Sequence, residues 1–309
     1  MNARISHIPA RRLWTLLVIA GLALVCGPVI AASLNAAAIS KAAGVAAKTQ
    51  PDGVVKIAWS RSDVSVTVDG MRLPPAAGLG SWAAFSPMGS NQAMVMGDTV
   101  VFQDEVDAAM DAAFAHGLHV TGLHNHFFYD QPKVYFMHIE GEDSATALAS
   151  DVKAVWDAIK AVRAARPQPA DGFGGPVPTA GKIDTQMLAK IVGHPAEANN
   201  GSPKITLGTT GRMHGPSIGA SMGLTTWAAF SGSDQLAAMD GDFIMRADEV
   251  QPVLRALRKA GIHIVALHNH MIGTEPDFYF THFWGKGKAA ALARGFRAAL
   301  DAQAAIANP

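Results

Sequence analysis

The stretch Leu123-His124-Asn125-His126, followed after eight intervening residues by Tyr135-Phe136-Met137-His138, occurs twice in this chain. Its second writing is Leu267-His268-Asn269-His270, then Tyr279-Phe280-Thr281-His282, with the same eleven residues between the last two histidines. In an extended strand, residues i and i+2 point to one face. The two imidazoles of each triplet therefore stand side by side, and Asn125 or Asn269 points away. A following strand that folds back as a hairpin brings His138, or His282, to the same face. This spacing predicts strand, turn and strand, and so a sheet rather than a helical bundle.

Working outward, the repetition extends over most of the chain. Ser81-Trp82-Ala83-Ala84-Phe85 recurs as Thr226-Trp227-Ala228-Ala229-Phe230, and Asp104-Glu105-Val106 as Asp248-Glu249-Val250. Met96-Gly97-Asp98 is answered by Asp240-Gly241-Asp242, and Lys56-Ile57 by Lys204-Ile205. The expected plan of one copy begins with a helix from Asn35, a fair N-cap. Strands are expected over 56–59, 64–68, 82–85 and 93–101, the last interrupted by a turn at Gly97-Asp98. An amphipathic helix over 104–116 is stopped by Gly117. Two strands then flank a turn at 130–133, and an Ala-rich helix covers 144–166. Copy two follows the same plan and ends in a helix over 288–306. The fold class expected is α+β: two tandem homologous mixed α/β repeats, each a largely antiparallel sheet with flanking helices. Repeat one is read as 32–166, a Pro/Gly-rich linker or long surface crossover as 167–181, and repeat two as 182–309. Two separate domains and one pseudo-twofold body are both compatible with this pattern.

Of 309 residues, 49% are apolar and 16% charged, enough for a substantial core and against a disordered chain. Twenty-five basic residues balance 25 acidic ones, so nothing suggests a nucleic-acid partner. Residues 1–31 stand apart: Arg4, Arg11 and Arg12 precede an apolar run over 13–26, and small residues follow it. This pattern predicts an export signal cleaved near Ala31, hence a periplasmic or secreted protein that meets the membrane only through its leader. Cys26 is the one cysteine. The large Val25 before it argues against a lipid anchor.

Three neutral imidazoles converging on one point form a common zinc arrangement, and an open fourth position admits water or substrate. His124, His126 and His138, with His268, His270 and His282, are the candidate ligands. Zinc is the preferred ion, although imidazole also suits copper, iron and nickel. Chemistry at such a centre needs a proton carrier. Glu105 and Glu249 occur in both copies, but an acid at that place also favours a helix N-terminus. Glu140 lies two residues beyond His138 on its face, and copy two has Trp284 there. Copy one, richer in acids, is therefore the expected working site. His119 and His263 fall one strand position out of phase with the ligand face and are expected to be supporting or buried histidines. Asp98 and Asp242 are read as turn-shaping residues, and Trp82 and Trp227 as core anchors.

The duplicated Ser-Trp-Ala-Ala-Phe, Gly97-Asp98 with Asp104-Glu105-Val106, Leu-His-Asn-His and Tyr135-Phe136-Met137-His138-Ile139-Glu140-Gly141 together resemble the LppY/LpqO family of exported bacterial proteins of unknown function. That resemblance implies export and no particular activity. The His-x-His strand, turn and third His are also similar to acetolactate decarboxylase and the small PPC-type domains, in which such a triad holds zinc. This likeness implies His124, His126, His138 and their counterparts as ligands. Three functions are thus compatible with the residues. One is an exported metal-binding protein, read as a lyase or hydrolase of a small carbonyl compound. Another is a non-catalytic envelope module with structural metal. The third is a metal-free groove for carbohydrate or peptide.

Overall fold

The computed structural model describes residues 33–89, 91–199 and 201–307. The expected leader over 1–31, with Cys26, lies outside the described residues. Among those described, no helix is long and apolar enough to cross a membrane.

Copy one runs α1 (Ala36–Ala43), β1 (Ala47–Thr49), β2 (Val55–Ser60), β3 (Thr67–Val68), β4 (Met71–Arg72), β5 (Gly80–Met88) and β6 (Gln92–Phe102). It continues α2 (Val106–Ala115), β7 (His119–Asn125), β8 (Asp130–Gln131), β9 (Val134–Asp143) and α3 (Ala145–Ala165). Copy two runs α4 (Thr185–Val192), β10 (Glu197–Asn199), β11 (Ser202–Gly208), β12 (Gly211–Met213), β13 (Ser217–Ile218), β14 (Thr225–Gly232) and β15 (Ala237–Met245). It closes with α5 (Val250–Lys259), β16 (His263–His268), β17 (Thr274–Glu275), β18 (Tyr279–Gly287) and α6 (Ala289–Ala307). Local signals explain the helix starts. Asn35 accepts from the Ala38 N–H, Ser144 from Ala147, and Asp184 from Gln186 and Met187.

The strands form one 12-stranded sheet of order β1-β2-β5-β6-β9-β7-β16-β18-β15-β14-β11-β10. The order reads the same from either end once each strand is exchanged for its counterpart, so the duplication has produced one pseudo-twofold body. Its axis passes between β7 and β16, which pair antiparallel at Leu123 and Leu267. All six α-helices among the described residues contribute to a single apolar core on one face of this sheet. Side chains of copy two also bond the backbone of copy one. The Gln251 amide exchanges hydrogen bonds with both the N–H and the carbonyl of Val120, and Arg255 donates to Phe114 and Leu118 carbonyls.

The other face is covered at each end by a three-stranded ribbon, β4-β3-β8 in copy one and β13-β12-β17 in copy two. Each ribbon closes a small apolar cluster, around Phe102 and Phe136 or around Ile244 and Phe280. The remainder of that face is open. Trp82 and Trp227 lie half-buried beneath Lys56 and Lys204, whose Nζ atoms stand 4.2 and 4.1 Å from the ring centroids. They are therefore not core anchors: odd positions on β5, such as Ala83 and Phe85, take the helix side, which leaves Trp82 outside.

Two further expectations change. Gly97-Asp98 is not a turn, because β6 runs unbroken through it. The glycine serves close packing: a Cβ there would meet Ile139 Cγ1 and the Trp82 carbonyl at 3.0 Å, and at Gly241 the contact with Phe283 is closer still. The strand expected over 64–68 shrinks to Thr67–Val68, since Val64 and Val66 are buried as apolar plugs under the ribbon. The linker is pinned across the surface. Ala170 donates to Asp104, Lys286 donates to the Gly174 carbonyl, and Phe173 stacks on His263 with centroids 3.6 Å apart.

Glu105 and Glu249 anchor the sheet to its helices. Glu105 is fully buried and receives Arg61 as a fork at 2.7 and 2.9 Å, Arg163 Nε at 2.7 Å and the Phe102 N–H at 2.9 Å. Removing one member of a fully buried pair strands the other charge away from water. Glu105→Ala should therefore cost about 3–5 kcal/mol, read as a lowered urea midpoint. Glu249→Ala should cost less, because its partner Arg246 is 38% exposed and can be rehydrated. Equal shifts in the two variants would contradict this account.

Candidate metal centre

The histidines are phased by a bulge. β7 and β9 pair Val120 with Ile139 but Gly122 with His138, so Thr121 is an extra residue; Val265 is the extra one in β16. One extra residue reverses the alternation. Val120 and Leu123, three apart, both enter the helix-side core, and the residues between and beside them face the open side. His119 is thereby turned onto the histidine face instead of out of phase with it. It is exposed there, with Nδ1 3.8 Å from Glu140. Gly122 lies close against the third histidine, where a Cβ would meet His138 Cδ2 at 3.1 Å; copy two has Ala266 opposite His282.

In copy two, one nitrogen from each of His268, His270 and His282 lies within 4.8 Å of the others; among the described residues these three form a set with metal-ligand geometry. Their rings are further arranged by neighbours. His268 Nδ1 lies 3.2 Å from the Asn269 carbonyl, which leaves Nε2 for a ligand. His270 lies flat on Phe280, with centroids 3.5 Å apart. Asn269 donates to the Met271 carbonyl and shapes the loop beyond the strand. Copy one repeats these features with one difference. His124 and His138 close on each other, with Nε2 atoms 2.9 Å apart, while His126 stacks on Phe136.

A carboxylate that sequence reasoning set aside completes each cluster. Asp98 faces His138 across the β6–β9 pairing, and Asp242 faces His282 across β15–β18. Asp242 is 4% exposed; its Oδ2 stands 3.4 Å from His270 Nε2 and its Oδ1 3.8 Å from His282 Nδ1. Oδ1 of both aspartates is buried without a hydrogen-bond partner. Such an orphan is costly unless a cation or donor answers it. Burial raises both carboxyl pKa values, opposed by the adjacent histidines. Burial and the neighbouring rings push His126 down, and push His270 down to about 4, so both rings are neutral at pH 7 and keep a lone pair for a metal. The missed signal was available: Gly-Asp occurs in both copies, and a hairpin register would have set each Asp opposite a histidine.

The candidate acids are placed differently. Glu105 and Glu249 belong to the buried ion pairs described above, and their oxygens are taken by Arg61, Arg163 and Phe102 or by Arg246 and Gln303. Glu140 is half-exposed on the open face beside His119. A cleft of about 480 Å³ opens between the copies, and His282 is part of its wall with Asp240, His263, Trp284, Tyr135 and Phe173. The pseudo-symmetric cleft, about 670 Å³, is lined by His119, Glu140 and Tyr279 and does not include His138.

The family model described as Domain of Unknown Function (DUF1259) matches residues 37–158 and 186–302. No curated protein matches the chain. Among solved structures, EtuB from Clostridium kluyveri is 12% identical with a TM-score of 0.21, covering 84% of this chain and 90% of its own. The trimeric bacterial microcompartment shell protein PduB is 11% identical with a TM-score of 0.19, covering 82% and 88%. The two family matches coincide with the two halves of the sheet, and the chain belongs to the DUF1259 family of unknown function, carrying its domain twice.

Proposed function

We propose that this is an exported metal-binding protein in which His268, His270 and His282 hold one divalent transition metal, zinc before others. The convergence of three ring nitrogens within 4.8 Å carries this reading. The donor set supports it: neutral imidazoles, with an orphaned carboxylate oxygen beside them. The resemblance to exported LppY/LpqO proteins and the Arg-rich apolar leader support export.

Bound there, the metal supplies Lewis acidity toward a carbonyl oxygen or a water. The protein's own groups do the rest. Asp242 Oδ2, 3.4 Å from His270 Nε2, would accept that ring's N–H and fix its orientation. Trp284, Tyr135 and Phe173 give the adjoining cleft walls that favour a small, largely apolar carbonyl compound. Asp240 in the same wall is the acid best placed to exchange protons with it, since Glu105 and Glu249 are committed to ion pairs. A second reading, structural metal in a non-catalytic module, is favoured by Asp242 Oδ1, which as a fourth donor would close the coordination sphere.

Protein purified without a histidine tag should carry about one zinc per chain by mass spectrometry of the metal. His268→Ala with His270→Ala should remove it, whereas His124→Ala with His126→Ala should leave it; metal retained in the first double variant sinks the ligand assignment. Asp242→Asn should weaken zinc affinity by about 10–100-fold in a competition titration with a chelator. Chelation separates the two readings. If the apo protein keeps its melting temperature, the open catalytic site is favoured; if it unfolds, the metal is structural.

A further inference from the structure

The two copies share a buried carboxylate but not its surroundings. Three backbone-anchored bonds superimpose them. The Arg61 N–H donates to the Leu79 carbonyl as Thr209 does to Leu224, and the Val100 N–H donates to the Ser81 hydroxyl as Ile244 does to Thr226. The Phe102 N–H donates to Glu105 as Arg246 does to Glu249. Thr209 therefore occupies the place of Arg61. Arg61 is 0% exposed, and its guanidinium carbon lies 5.1 Å from the Trp59 ring and 4.6 Å from Phe102. Copy two has Leu207 and Arg246 at those ring positions. What Arg61 and the two rings fill in copy one is, in copy two, a cavity of about 460 Å³ lined by Leu207, Thr209, Thr226, Arg246, Glu249 and Gln303. Exposed Thr210 lies at its rim.

Copy two lacks the Arg61 cation as well as the volume that its side chain fills. In copy one Arg61, Arg163 and Arg166 meet Asp63, Asp104 and Glu105. In copy two the corresponding group is Arg246 with Asp248 and Glu249, of which Arg246 and Glu249 line the cavity, and among the described residues no second arginine reaches Glu249. Arg297, also in the wall, is matched by Asp301. Glu249 accepts hydrogen bonds from the Arg246 N–H and Gln303 and forms an ion pair with the Arg246 guanidinium, whereas Glu105 accepts three hydrogen bonds, two of them from the Arg61 fork, and forms an ion pair with Arg163. A carboxylate has room for about four.

We propose that this cavity is a binding site for a small ligand bearing a guanidinium group, seated on Glu249 as Arg61 is seated on Glu105. A planar two-pronged donor matches a carboxylate edge in a way an ammonium does not. Arg246 remains in place beside it, as Arg163 does beside Arg61. The cavity volume falls within the range of small-molecule sites. The site is independent of the histidine cluster and does not rest on the metal reading.

Titration calorimetry of the whole protein with agmatine tests this, with putrescine as the ammonium comparator. Saturable agmatine binding is expected, with putrescine weaker by about tenfold or more, since an ammonium cannot make the guanidinium's two parallel charge-assisted bonds to the carboxylate. Thr209→Arg refills the cavity from within and should abolish binding while the circular dichroism spectrum is retained. Glu249→Gln keeps the shape and should weaken agmatine by about tenfold or more. Absence of agmatine binding to the wild type, equal binding of putrescine, or undiminished binding in either folded variant would overturn the proposal.

Discussion

The antiparallel register between β9 and β7, copied between β18 and β16, is the constraint on which the candidate site depends. Alternation alone would place His119 and His124 on opposite faces. One extra residue, Thr121 or Val265, reverses the phase, so Val120 and Leu123 both reach the core while the histidines share the open face. A slip of one residue would send the third histidine into the helix layer. Gly122 beneath His138 and Gly97 beneath Ile139 record how tightly that register is packed.

The same strands join the copies. Pairing of Leu123 with Leu267 makes two half-sheets continuous and lets one apolar core run under both. A symmetric joint does not impose identical sites. Copy two sets three ring nitrogens around a common point, whereas copy one lets two of them bond each other. At the sheet ends, copy one buries Arg61 against Glu105, and copy two leaves space in front of Glu249. Duplication here has kept the scaffold and let the sites diverge.

The buried acids show why residue type alone misassigns roles. Glu105 and Glu249 had the chemistry of proton carriers, yet both satisfy arginines and backbone N–H groups at the ends of β6 and β15. Asp98 and Asp242 looked like turn residues because glycine precedes them, yet each lies mid-strand against the histidines. In both cases the deciding information is which strand lies alongside, and that is nonlocal.

Period-two alternation, turn residues and caps are local, and they carried the element plan, the duplication and the six histidines directly from the amino acids. Asn35 and Ser144 cap their helices, and both expected strands form, although they end at Asn125 and His268 and leave His126 and His270 just beyond. The bulge, the pairing of β7 with β16, the aspartate beside each histidine cluster and the cavity opposite Glu249 arise only when distant segments meet. Cross-strand register and packing volume are properties of pairs of segments, and no single stretch of sequence contains them.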